Sequence, residues 1–282
     1  MGESGVLPDD RGQGRMTTIL LVVLGLFAGL VGALSGTGGG IILAPMLALY
    51  FGLPIQQAIG TSLVAVITTS AASSSVHLQR HTADIRLGMT LELATALGAA
   101  STAYLVGYIN RTALEVLFAA FLLCGAITIL RKRGKTEDAQ DEFVPAPSSE
   151  EAVLPPYEPK RYPLGMGASL VAGGLSGLLG IGGGPIKVPV MYLFMGVPLI
   201  VATATSNLMM GVTAAASAFV YYRRGDILPP IAAPLVVGVF VGSLTGARLA
   251  PRIHHKWVAL LLVTIMLYLS AHMFAHIVGK FL

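Results

Sequence analysis

Charge is what this sequence lacks most. Of 282 residues only 11% are Asp, Glu, Lys or Arg, against roughly 25% in an ordinary soluble domain. A water-soluble fold of this length could not cover its surface with so few. Cysteine occurs once, as Cys124. That excludes an intrachain disulfide and any multi-cysteine metal centre, and its apolar neighbours mark a core thiol rather than a reactive one. Enzyme signatures are missing too: there is no Gly-x-Ser-x-Gly, no phosphate loop and no His/Cys/Glu metal spacing. The expectation is therefore no enzyme, no cofactor and no metal.

Apolar residues stand in place of charge. They make up 54% of the chain, the mean hydropathy is +0.76, and they fall in long runs. The net charge of +4 does not point to nucleic acid, because the basic residues sit at the ends of apolar runs, where they act as topology signals. Arg11 and Arg15 precede an apolar run at about 16–34, which is longer than the ~7–15 residues of a signal-peptide core. That run has an internal counterpart, so it reads as a retained membrane segment.

The counterpart belongs to a repeat. Residues 26–62 align without gaps to residues 170–206, with sixteen identities in 37 positions. Shared positions include Gly29/Gly173, Gly36/Gly180, Pro45/Pro189, Gly52/Gly196, Pro54/Pro198, Ala58/Ala202, Thr61/Thr205 and Ser62/Ser206. Gly38-Gly39-Gly40 matches Gly182-Gly183-Gly184, and a two-residue gap then brings Asp84-Ile85 onto Asp226-Ile227. Between the units the chain turns basic, then acidic, then Pro-rich, with no apolar face to bury. The expected organisation is a tail at 1–15, a first transmembrane repeat at 16–130, a solvated linker at 131–162 and a second repeat at 163–282.

The fold class follows as all-α and polytopic, with matching elements in each repeat. The first should hold segments near 16–35, 41–51, 56–79, 87–108 and 112–130. The second should hold segments near 164–179, 185–195, 199–222, 227–248 and 255–279. The segment after each glycine cluster has about a dozen residues, and at ~1.5 Å per residue it cannot span a ~30 Å hydrocarbon core alone.

Irregular backbone survives at membrane depth only where protein or a wet cavity covers it. Gly36, Thr37, Gly38, Gly39 and Gly40, with Gly180, Gly182, Gly183 and Gly184, should break a helix and start another. Pro185 suits the first turn of the new one. A fresh helix start offers free N–H groups and partial positive charge, a setting for an anion. Paired short segments in two halves point to a transporter's substrate site; tight helix packing is the alternative use of these glycines. Thr61 and Ser62, with Thr205, Ser206 and Asn207, lie early in the next helix. They can donate to an anion or accept from a coupling cation, or simply satisfy their own helix carbonyls.

Lys187 is the sharpest single residue, on the first turn after Gly184 and flanked by Ile186 and Val188. An ionisable group at such depth is a functional candidate, with snorkelling to an interface as the alternative. The first repeat has Leu43 there. Glu92 is the one carboxylate well inside an apolar segment. It could neutralise Lys187, serve coupling by carrying a proton, or face the lumen edge; the expected partner of the lysine is a bound anion, with no permanent carboxylate beside it. His77 and His81 flank Arg80 at a helix end, where interfacial anchoring fits better than metal binding.

The twice-written Gly-x-Gly-Gly-Gly with Pro45 and Pro189 five residues on, followed by Ala-x-x-Thr-Ser at 58–62 and 202–206, resembles the TauE/SafE sulfite exporter family of membrane permeases. The resemblance implies a multi-pass plasma-membrane protein moving sulfite, organosulfonates or related small anions. With no nucleotide site, transport would run on a gradient, with H+ or Na+ as possible coupling ion. The partners expected are a small anion and the lipid bilayer, not nucleic acid; oligomeric state is unreadable. A membrane-embedded accessory or scaffold protein is the alternative function, and an intramembrane enzyme would need a paired acid and base that only Glu92 begins to supply. The positive-inside rule favours eight crossings with both termini and the linker cytoplasmic, which puts 13 Lys+Arg inside and four outside. An odd number of segments per repeat gives 11 and six.

Overall fold

The computed structural model describes residues 11–132, 157–253 and 255–279, and among them no strand occurs. The tail expected at 1–15 lies outside them up to residue 10, as does most of the linker. In the first half the helices are α1 (Arg11–Ser35), α2 (Gly40–Tyr50), α3 (Ile55–Gln79), α4 (Ile85–Leu105) and α5 (Arg111–Lys132). In the second they are α6 (Tyr162–Leu179), α7 (Gly184–Phe194), α8 (Leu199–Arg223), α9 (Pro229–Leu249) and α10 (His255–Gly279). Eight of these are long and apolar enough to cross a membrane. The short pair, α2 and α7, has 11 residues each.

Small residues decide which helices pack closely. On α1, Gly25 and Gly29 lie against the backbone of Leu235, Val239 and Ser243, while Gly238, Gly242 and Gly246 of α9 lie against Val22, Leu26 and Leu30. The spacing of four keeps the glycines on one face, so the two backbones approach without side chains between them. Gly98 of α4 and Gly173 and Gly177 of α6 make the same kind of seam. Each half therefore lends its first helix to the other half's fourth.

The contacting residues also fix helix direction. Along α1 and α9 the partners rise together, Val22 with Gly238 and Leu30 with Gly246, so these helices are parallel. So are α3 and α9, with Thr61 against Leu228 and Arg80 against Ala247. Hence α1 and α3 run the same way, and α2 must turn back between them. By contrast α3 and α8 are antiparallel, Gly60 lying against Tyr221 and Ser70 against Asn207. The pair α5 and α10 is antiparallel too, with Gly125 against Met266 and Ala119 against Ser270.

Direction therefore alternates through all ten helices, five per half. The two ends of the linker emerge on one face, and α1 begins and α10 ends on the other. This corrects the expectation that termini and linker share a face. Charge bias could not decide it, because a helix that turns back half-way reverses every later crossing without adding a charged loop. Of the 15 Lys+Arg among the described residues, nine fall on the linker face and five on the other, with Lys187 inside.

The end of the linker departs from a solvated tether. Tyr157 donates its hydroxyl to Asp84 Oδ2 at 2.6 Å, and the Lys160 N–H donates to the Met195 carbonyl at 3.0 Å. Burial and the neighbouring Asp84 carboxylate hold the Tyr157 phenol well above its usual range.

Candidate functional site

Each glycine cluster is a turn that only glycine builds without strain. Gly36, Gly38 and Gly39, and likewise Gly180, Gly182 and Gly183, have φ between 68° and 78°, the left-handed region. Gly39 and Gly183 cap α2 and α7, and their carbonyls accept the first helical bonds, from Ile42 and Leu43 and from Ile186 and Lys187. The N–H groups of Gly40, Ile41 and Gly184 precede those bonds and have no intrahelical acceptor.

The clusters meet. A Cβ on Gly40 would collide with the Gly180 carbonyl, and one on Gly184 with the Gly36 carbonyl. Val66 and Met210 close around Gly38 and Gly182, and both stand at the middle of their helices, α3 and α8. The two short helices thus begin nose to nose at mid-height of the bundle and run apart. Every glycine of both clusters is buried, as is Thr37, whose hydroxyl lies 2.8 Å from that of Ser35.

The hydroxyls after each cluster reach across to the opposite half. Thr205 Oγ1 accepts from the Asp84 N–H at 2.9 Å, and Thr61 Oγ1 from the Leu228 N–H at 3.3 Å. Ser62 donates to the Gly180 carbonyl at 3.3 Å and to Ile59 at 2.8 Å, while Ser206 donates to the Gly36 carbonyl at 3.4 Å. Bonding within their own helix is only part of their use. They brace the junction.

Lys187 does not snorkel. Its side chain is fully buried, with Nζ 3.2 Å from Glu92 Oε2 and donating to Thr213 Oγ1 at 2.9 Å. The Thr213 hydroxyl donates in turn to Glu92 Oε1 at 2.6 Å, which closes a ring over α4, α7 and α8. This corrects the expectation that no permanent carboxylate stands beside the lysine: Glu92 does, brought there by α4 packing against α8. At the matching places of the equivalent corner, over α2, α3 and α9, stand Leu43, Thr69 and Pro234. Leu43 is fully buried, and Thr69 bonds only to its own helix.

Asn207 has a different setting. It donates to the Ala33 carbonyl and contacts His77 Nε2, both at 3.3 Å, while its Oδ1 has no protein partner. His77 is thus buried against α8 rather than anchored at an interface, although His81 is exposed. In the other half Tyr221 fills the equivalent space and donates to the Gly177 carbonyl at 2.9 Å. The aligned aspartates diverge as well. Asp84 caps α4 through the Leu87 N–H, whereas Asp226 pairs with Arg224 at 3.0 Å and its carboxyl is raised by burial.

Thr213 is the functional candidate that the sequence reading passed over. Carrying the ungapped alignment eleven positions further pairs Thr69 with Thr213 and Ser73 with Ser217, and that signal would have found it. No group of three or more His, Cys, Asp or Glu suited to a metal occurs among the described residues.

Comparison with known proteins agrees with this architecture. The chain is 27% identical over 266 residues to the probable membrane transporter protein YunE of Bacillus subtilis, covering 92% of this chain and 97% of that one. It is 27% identical over 264 residues to the probable membrane transporter protein MJ0441 of Methanocaldococcus jannaschii, covering 88% and 91%. No solved structure matches. The profile of sulfite exporter TauE/SafE matches residues 21–273. This multi-pass chain therefore belongs to the TauE/SafE sulfite exporter family, a family of membrane transporters and not of enzymes.

Proposed function

We propose that the protein is a secondary transporter for a small anion, namely sulfite, an organosulfonate or a related sulfur-containing or carboxylate anion. One observation carries this reading: two half-length helices start nose to nose at mid-height, directing their positive ends and unpaired N–H groups at one junction. Such ends favour an anion, and Lys187, one turn along α7, adds the full charge that a neutral solute would not need. The substrate lies along the junction of Gly36–Gly40 with Gly180–Gly184. Thr61, Ser62, Thr205 and Ser206 frame it, and Asn207 and Lys187 flank it. The domain division at 131–162 and a coupling ion, H+ or Na+, belong to the same reading.

The test is a thermal-shift panel on purified protein with sulfite, methanesulfonate and acetate against choline, followed by counterflow in proteoliposomes. Stabilisation and counterflow by at least one of the anions, and by none of the cations, is expected. A protein that no anion stabilises or moves would instead be an accessory or scaffold protein.

A further inference from the structure

The ring of Lys187, Thr213 and Glu92 is a balanced charge inside an apolar bundle, and its balance constrains what can enter. From α7 only Lys187 faces Glu92, and from α8 only the hydroxyl of Thr213. Helix α6 offers no ionisable side chain beyond Tyr162 at its start, and on α4 the other charged groups, Arg86 and the capping Asp84, lie at its beginning. Among the described residues, nothing else on α4, α6, α7 or α8 beside the ring can take up a change of charge.

We propose that Lys187 exchanges partners during transport: one proton neutralises Glu92, and the released ammonium pairs with the anion, so that one proton and one anion move together. This rests on the small-anion reading above. An anion entering beside the intact ion pair would leave one uncompensated negative charge buried. A proton entering alone would leave one uncompensated positive charge. Only the two together keep the interior neutral, since buried charges persist only when paired. Thr213 can serve both states, because a hydroxyl accepts from the lysine and donates to a carboxylate or to an anion. The equivalent corner, between α2 and α9, has Leu43 and Pro234 in place of the ion pair, so the stoichiometry is one per chain.

The decisive measurement uses the wild-type protein and methanesulfonate, which carries no titrating proton of its own. In weakly buffered detergent solution, saturating methanesulfonate should draw about one proton from solution per anion bound. In proteoliposomes an imposed proton gradient should drive its accumulation. Glu92→Gln, with the ammonium free in advance, should bind methanesulfonate at least tenfold more tightly at neutral pH, without proton uptake. It should keep anion counterflow and lose proton-driven accumulation. Lys187→Met should lose both. Sulfite, run in parallel, tests whether the device serves both anions. Wild-type binding without proton uptake, or proton-driven accumulation retained in Glu92→Gln, overturns the proposal while leaving anion transport standing. If no anion binds the wild type, the functional reading fails first and takes this one with it.

Discussion

The two halves share a backbone and differ in what they place on it. Positive φ recurs at Gly36/Gly180, Gly38/Gly182, Gly39/Gly183 and Gly52/Gly196, and the crossed contacts of Gly40 and Gly184 mirror each other. The side chains around this doubled frame do not repeat. Lys187 answers Leu43, Asn207 answers Leu63, and His77 answers Tyr221. Sterics explains why the frame stays the same: each cluster packs on the other's carbonyl, so neither can change alone. Side chains one turn away meet different neighbours and are free to diverge. The junction thus has two equal helix starts but a single buried ion pair.

The sharpest test of the inverted path is all-or-none. With Cys124 replaced by Ser, an introduced cysteine at Gly134 and one at Gly5 should label oppositely with an impermeant maleimide in intact cells. The charge bias of nine against five among the described residues puts Gly134 on the protected, cytoplasmic side. Equal labelling would refute the alternation of helix direction.

The shared frame predicts equal sensitivity in both halves. Gly40→Val and Gly184→Val each force a side chain into a backbone carbonyl. Overpacking typically costs about 1–3 kcal/mol and more against rigid backbone, so neither variant should yield a monodisperse, anion-binding protein. Tolerance in one half alone would mean that the junction is not symmetric.

Side-chain asymmetry predicts unequal costs one turn along. Glu92→Leu strands a fully buried ammonium and should cost about 3–5 kcal/mol, read as a lowered melting temperature. The double variant Glu92→Leu/Lys187→Met makes this corner resemble its apolar counterpart and should recover most of that loss. Leu43→Met should cost less than about 1.5 kcal/mol. An additive double variant would show that the pair is not coupled.

Smaller effects belong to single hydrogen bonds. Tyr221→Phe removes the bond to Gly177 and should cost about 1 kcal/mol. Tyr157→Phe should cost about 1–2 kcal/mol, since the acceptor is a carboxylate. The pH sign follows from Tyr157. Its phenol is raised in the folded state, so its contribution is complete below the unfolded value of about 10 and declines as pH rises beyond it. The variant should therefore show a shallower alkaline loss than the wild type in melting curves between neutral and strongly alkaline pH.

Much of the fold was readable before any coordinates. Runs of apolar residues determine crossing helices because lipid offers backbone groups no partner. The twice-written glycine clusters determine where helices break, because no other residue adopts those dihedrals cheaply. Both statements depend on local composition, which a sequence carries. Helix direction, the partner of Lys187 and the burial of His77 were decided only in three dimensions. Glu92 and Lys187 are 95 positions apart, and they meet because Gly98, Gly173 and Gly177 let α4 and α6 close up while α7 turns back beside them. The sense of that turn depends on which surfaces pack best. That is a property of ten helices together, and no segment encodes it alone.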